Sequence, residues 1–320
     1  MPFRFTSRAL SACVAAAAAA ALGLGTAAPA QAAADPLRYV ALGDSYSAGS
    51  GILPLDPSAS LLCARTTKNY PNLLADRLGA ELTDVTCGGA ETKDFATAQY
   101  PGVPAQFDAL DADTDLVTLT IGGNDNGTFI TAIVACGGLG VLTLGYGSPC
   151  KDTYGSKFSD DIAGKTYPAV KAALQEIKSR SPRAEVAILG YPWIVPQQSV
   201  RGCYLKMPIA KGDIPYLRGM QADLNAAVER AADEAGATFV DMAAASDGHD
   251  ACRSSGTRWI EPLLFGTNVV PVHPNAAGEA AMADRVAAGP GLAETRGGRG
   301  RVRPGAAAAS AVEAGGRPQG

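Results

Sequence analysis

Between residues 35 and 288, short apolar runs alternate with longer stretches in which apolar residues recur every three or four positions. The short runs span 38–42, 81–87, 116–121, 185–191 and 238–242, each bounded by Gly, Asp or Pro. Apolar runs of this length predict strands covered on both faces. The longer stretches, 70–78, 167–179, 214–235 and 275–288, predict helices. In the third, Leu217, Met220, Leu224, Ala227, Val228 and Ala231 fall on one helical face. Gly79, Pro182 and Gly236 supply stop signals. Such alternation predicts one central parallel sheet of about five strands with helices on both faces, a single-domain three-layer α/β/α architecture. Segments 50–68, 127–160 and 193–213 interrupt the alternation. Each is rich in Gly or Pro and carries cysteine, and each reads as a surface loop near the site, pinned by a cross-link.

The ends of the 320-residue chain have a different composition. Arg4 and Arg8 precede an alanine-rich apolar run from 14 to 24, and Ala30-Gln31-Ala32 is a small-x-small cleavage site. Residues 1–32 therefore read as a secretory signal peptide, cleaved after Ala32 or alternatively after Ala34, and the protein is expected to be secreted. The run is too short and too weakly apolar for a span of roughly 20 residues, so no stable membrane insertion is expected. From Gly289 onward, arginines 296, 299, 301 and 303 lie among Gly, Ala and Pro, a composition that cannot bury a core. Residues 289–320 are expected to be a disordered tail, which leaves 35–288 as the folded domain.

Charge and cysteines narrow the chemistry. The chain carries −4; without Arg4 and Arg8, and with +3 on the tail (five Arg, two Glu), −9 falls on 35–288. An acidic domain of this kind has no electrostatic footprint for nucleic acid. Six cysteines remain after Cys13 leaves with the leader: Cys63, Cys87, Cys136, Cys150, Cys203 and Cys252. An even set in an exported chain implies three disulfides, for which six cysteines allow 15 pairings. No Cys-x-x-Cys occurs, and the only histidines are His249 and His273, without His-Glu-x-x-His. No metal and no cofactor are expected.

Leu42-Gly43-Asp44-Ser45-Tyr46-Ser47 directly follows the first apolar run. A serine on the turn leaving a strand sits at the carboxyl edge of the sheet, where open α/β sheets place their ligands. A lone Gly-Asp-Ser is more often just a turn. Here it is followed in order by Gly88-Gly89-Ala90, Gly122-Gly123-Asn124-Asp125 and Val272-His273-Pro274. A serine hydroxyl needs a base to become a nucleophile. His249 lies in the polar stretch Asp247-Gly248-His249-Asp250 and reads as a solvated loop residue. His273 lies between Val272 and Pro274, on a turn before a helix, and is the candidate base. Acyl transfer also needs donors for the developing oxyanion. The Ser45 N–H, the Gly89 N–H and the Asn124 side-chain amide are the candidates. Singly, Gly89 and Asn124 are ordinary turn residues; together, at strand ends, they read as an oxyanion hole.

With these four blocks in order, residues 35–288 resemble the SGNH (GDSL) hydrolases, in particular secreted, disulfide-bearing actinomycete lipases and esterases. The resemblance implies a flavodoxin-like three-layer fold. It further implies Ser45 as nucleophile, His273 as base, and Ser45, Gly89 and Asn124 as oxyanion donors. The implied disulfide pairing is nearest-neighbour: Cys63–Cys87, Cys136–Cys150 and Cys203–Cys252. One departure is at Val270, where most members of the family carry an acid three residues before the histidine. A backbone carbonyl near Val270, or a carboxylate from elsewhere such as Glu261 or Asp250, would then orient His273. The α/β-hydrolase pattern Gly-x-Ser-x-Gly fits less well, because position 47 is serine.

The expected function is a secreted serine ester hydrolase, a lipase or esterase and in one reading a phospholipase. Its substrate would be a lipid ester, either an acylglycerol or a phospholipid, and the protein is expected to be a monomer. Apolar residues Ile130, Ile133, Val134, Leu139, Val141 and Leu142 suit a lipid-facing loop and suit a core helix equally. The same site could serve a carbohydrate-ester deacetylase, whose sugar contacts would call on Trp193 or Trp259. A non-catalytic secreted binding protein is the contrasting class, and it has no need of Ser45, Gly89, Asn124 and His273 together.

Overall fold

The computed structural model describes residues 35–289. The proposed signal peptide, its cleavage site and the tail from 290 to 320 lie outside the described residues. Five strands, β1 (Leu37–Ala41), β2 (Ala80–Asp84), β3 (Leu116–Leu119), β4 (Glu185–Leu189) and β5 (Thr238–Val240), form one all-parallel sheet in the order β2-β1-β3-β4-β5. Among the described residues ten α-helices accompany it. The first five are α1 (Ser45–Ala48), α2 (Tyr70–Leu78), α3 (Thr128–Leu142), α4 (Pro149–Tyr154) and α5 (Lys157–Asp161). The others are α6 (Tyr167–Arg180), α7 (Cys203–Lys206), α8 (Asp213–Ala235), α9 (Ala243–Ser246) and α10 (Ala276–Ala287).

The chain winds from β1 toward β2 through α2, then returns past β1 and proceeds through β3, β4 and β5. Right-handed crossovers put the two directions of winding on opposite faces of the sheet. Accordingly α2 packs with α10, and α6 packs with α8. The reversal of winding lies between β1 and β3, and ligands bind at such a point in open α/β sheets. Every residue of β3 is buried, as the apolar pattern predicts. The edge strand β2 alternates exposed and half-buried residues, because only β1 borders it.

Helix ends follow local chemistry. Asn69 caps α2 by accepting from the Asn72 N–H, and Gly79 closes it in the left-handed region. Asn275 caps α10 by accepting from Ala277 and Gly278.

One expectation is corrected. Segment 127–160, read as a loop, is largely helical. Residues 128–142 hold no charge and are apolar on every side, so no amphipathic period marks them as α3. Ala132, Ile133, Cys136, Gly137 and Gly140 are buried, whereas Ile130, Val134, Val141 and Leu142 are exposed. Disulfides join Cys63 to Cys87, Cys136 to Cys150 and Cys203 to Cys252, so that α3 is tied to α4 and α7 to the chain after α9.

Candidate active site

The serine turn is fixed from several sides. Beyond the end of β1, Leu42 and Asp44 continue the pairing by donating to the Thr118 and Thr120 carbonyls, both at 3.0 Å. Gly43 adopts φ +125°, and a Cβ there would sit 2.5 Å from the Thr120 oxygen, so only glycine fits. Buried Gln106 grips both backbone groups of Gly43, accepting from its N–H at 2.7 Å and donating to its carbonyl at 3.0 Å. Asp44 caps α1 by accepting from the Tyr46 N–H at 3.0 Å. Ser45 is thus the first residue of α1, where backbone N–H groups have no partner within the helix. Its N–H and its Oγ have no hydrogen-bond partner among the described residues, and the residue retains 8 % exposure.

Asp44 is itself buried. Desolvation pushes its carboxyl up to about 6, against the opposing pull of bonds from Tyr191, Thr120 and the Tyr46 N–H. Tyr191 joins two turns. Its hydroxyl donates to Asp44 and accepts from the Gly123 N–H at 2.9 Å. Gly123 is required for this approach, since a Cβ would lie 2.9 Å from the Tyr191 ring.

Three donors stand on the turns that leave β2, β1 and β3, which are neighbours in the sheet. Gly89, in the left-handed region at φ +76°, has an N–H without an acceptor among the described residues. Its neighbours are held: Gly88 donates to the Cys63 carbonyl at 2.8 Å and Ala90 to the Cys87 carbonyl at 3.2 Å. The Asn124 amide donates to the Ala90 carbonyl at 3.1 Å, which ties the third turn to the second and leaves one amide hydrogen over. Asp125 strengthens that tie by accepting from the Thr92 N–H and hydroxyl at 2.8 and 2.9 Å.

His273 is half-buried on the loop before α10. Its Nδ1 lies 2.7 Å from the Pro271 carbonyl oxygen. A carbonyl only accepts, so Nδ1 carries the proton and Nε2 is left as the basic nitrogen. Burial pushes the imidazole below its ordinary value, and the Pro271 bond opposes that shift. The histidine loop touches the serine turn through Tyr46, whose ring centroid is 5.3 Å from that of His273 and whose hydroxyl donates to the Val272 carbonyl at 2.7 Å.

The other titratable candidates are engaged elsewhere. His249 stacks on Trp259 at 4.2 Å, with Nδ1 2.6 Å from the Thr257 carbonyl. Glu261 is buried in a two-point pair with Arg258 and also accepts from Asn275 and the Thr267 N–H. Asp250 accepts from the Cys252 N–H and Arg253, and Asp247 from Arg218. Among the described residues, no group of three or more His, Cys, Asp or Glu side chains is placed to hold a metal ion. Sequence reasoning missed Gln106, Tyr46 and Tyr191. Tyr191 closes the fourth apolar run, a position at the strand's carboxyl end that could have drawn notice; nothing local marks Gln106.

Comparison with known proteins gives concordant findings. Residues 41–281 match the model of the GDSL-like Lipase/Acylhydrolase family. The chain is 65% identical over 258 residues to "Lipase 2" of Streptomyces coelicolor, covering 81% of this chain and 87% of that protein. Among solved structures it resembles phospholipase A1 from Streptomyces albidoflavus, with TM-score 0.65, 29% identity, and coverage of 79% of this chain and 98% of that one. An extracellular lipase from Streptomyces rimosus aligns with TM-score 0.64 and 29% identity, covering 78% and 98% of the two chains.

Proposed function

The chain belongs to the GDSL-like lipase and acylhydrolase family and is an ester hydrolase, and we propose that it cleaves carboxylic esters of lipids through an acyl-enzyme on Ser45. Ser45 Oγ attacks the ester carbonyl while its proton passes to Nε2 of His273. The oxyanion so formed accepts from the N–H groups of Ser45 and Gly89 and from the Asn124 amide. Each such donor is worth about 3–4 kcal/mol of transition-state stabilisation. The imidazolium then protonates the leaving alcohol, and the tetrahedral adduct collapses to the acyl-enzyme. Water, deprotonated by His273, releases the acid and regenerates Ser45.

The observation that carries this reading is the 2.7 Å contact of His273 Nδ1 with the Pro271 carbonyl. It supports a neutral imidazole acting as base without a carboxylate, a serine–histidine dyad. Acylglycerols or phospholipids are the proposed substrates. The names of the relatives support this, as does the exposed apolar face of α3, which begins four residues after Asn124. The carbohydrate reading gains nothing from the tryptophans, because Arg218 lies 3.6 Å over the Trp193 ring and His249 covers Trp259. We propose further that the protein is secreted as a monomer, with 35–288 as the catalytic domain; three disulfides and the extracellular relative support export. Turnover of p-nitrophenyl, acylglycerol and phospholipid esters, ranked by acyl length, tests the substrate class. Activity confined to acetylated sugars would contradict it.

A further inference from the structure

The dyad reading leaves a mechanical question. In a triad the carboxylate holds the imidazole in orientation and tautomer. Here the histidine depends on a carbonyl two residues back on its own loop, so whatever fixes that loop fixes the base. The loop is not relaxed. Val272 sits at φ +63°, a left-handed conformation that a β-branched residue adopts only under constraint. Residues held in such regions are strained and persist where their surroundings over-determine them.

Two sets of bonds supply the constraint. On one side the backbone of Glu261 brackets the loop, accepting from the Val272 N–H and donating to the His273 carbonyl, both at 2.9 Å. On the other side the Tyr46 hydroxyl donates to the Val272 carbonyl at 2.7 Å. Tyr46 is buried and directly follows Ser45, and its own N–H is held by Asp44. Its ring also meets Tyr191 edge-on, with centroids 5.1 Å apart. A rigid two-torsion side chain therefore runs from the nucleophile's turn to the peptide unit that joins Val272 to His273. The same two segments also meet at Gly51, which accepts from the Val269 N–H at 3.2 Å and where an added Cβ would lie 3.1 Å from Val270.

Resting on the catalytic reading above, we propose that the Tyr46 hydroxyl is the positioning group for His273. It holds the left-handed Val272 so that the Pro271 carbonyl meets Nδ1, and thereby does through the backbone what an acid at position 270 would do directly. Tyr46 takes no part in proton transfer. It sets the distance between base and nucleophile and the tautomer of the base.

The test is Tyr46→Phe in the full-length protein, which keeps every ring contact and deletes one hydroxyl. The loss leaves one carbonyl unpaired, which is read as a lower melting temperature. Three readouts are taken together: kcat against KM, the melting temperature, and the ring-nitrogen spectrum of protein labelled with ¹⁵N-histidine. With only two histidines in the chain, His249 serves as internal reference. The expected result is kcat lower by roughly ten- to a hundred-fold, the scale of misplacing a catalytic group by about 1 Å, with KM changed less than about two-fold. His273 should pass from a single Nδ1–H form to exchange between tautomers, while His249 stays unchanged. A variant with wild-type kcat and wild-type His273 tautomer, whatever its melting temperature, overturns the proposal. A wild-type protein with the His273 proton on Nε2 overturns it as well, and that measurement needs no variant. An inert wild type would reject the catalytic reading instead; an active wild type with an unaffected Tyr46→Phe variant rejects the positioning role alone.

Discussion

At the scale of single residues the proposed mechanism depends on which group fixes His273. The three acids nearest in sequence to His273 on its N-terminal side each have other partners, so none is expected to be indispensable. Asp247→Asn and Asp250→Asn should retain turnover within a few-fold, far from the ~10⁴-fold loss that follows replacement of a triad aspartate. Glu261→Gln is different in kind. It leaves Arg258 buried without its counter-charge, and breaking such a pair costs about 3–5 kcal/mol, so melting temperature should fall rather than the chemistry of the folded protein. The pH profile follows from the direction of the His273 shift. On the proposed reading His273 acts as base when neutral, and burial lowers its pKa, so the neutral form persists to lower pH than for a free imidazole. The rising limb of kcat/KM should therefore have its midpoint below about 6.5. A midpoint above 7 would show an ionised carboxylate on the imidazole. Asn124→Ala should lower kcat by roughly 10² or more with little change in KM, because its contact strengthens as charge develops. A loss confined to KM would make Asn124 a binding residue.

At the scale of elements, the turns after β1, β2 and β3 act as one unit because side chains from elsewhere join them. Tyr191, at the end of the β4 run, bridges Asp44 and Gly123. Tyr191→Phe strands a buried acceptor and a buried N–H, each at about 1–3 kcal/mol, and loosens the Asn124 turn from the Ser45 turn. Both melting temperature and kcat should fall; a change in melting temperature alone would mean that the bridge does not position the donors. The Cys63–Cys87 bond closes a separation of 24 residues and anchors the Gly88-Gly89 turn, whose Gly88 N–H rests on Cys63. Replacing both cysteines by Ala should cost about 3.5 kcal/mol by the chain-entropy estimate and should lower kcat with it. Unaltered kcat would separate the cross-link from the donor turn. The elements themselves were legible wherever periodicity was present: 70–78 coincides with α2, and 167–179 and 214–235 fall one residue short of α6 and α8. Strand ends were overextended by one to three residues, since turn residues such as Thr86 and Ile121 are as apolar or β-prone as the strands they follow. Helix α3 stayed undecided between loop and helix because its sequence is apolar all round, so its partly exposed face carries no polar mark.

At the scale of the whole molecule, the sheet order places the serine turn and the asparagine turn on β1 and β3, either side of the reversal in winding. That placement explains why residues 43–45, 89 and 124, far apart in sequence, could be grouped: strand alternation alone puts their turns at one edge, whereas His273 lies on the loop before α10 and was singled out only by the order of the motifs. The partners that hold the set were not readable in this way. Gln106 and Tyr46 act through backbone carbonyls and amides, and no residue type at a fixed spacing signals such a contact. The central claim is that this edge holds one nucleophile, Ser45. Intact-mass and peptide analysis after titration with a lipid-like p-nitrophenyl phosphonate tests it most directly. The account predicts one adduct per chain, located on Ser45, formed in step with loss of ester turnover and absent from Ser45→Ala, whose residual activity should be about 10⁻⁴ or less of wild type. An adduct on another residue, or a Ser45→Ala protein that retains more than about a hundredth of wild-type turnover, would contradict it.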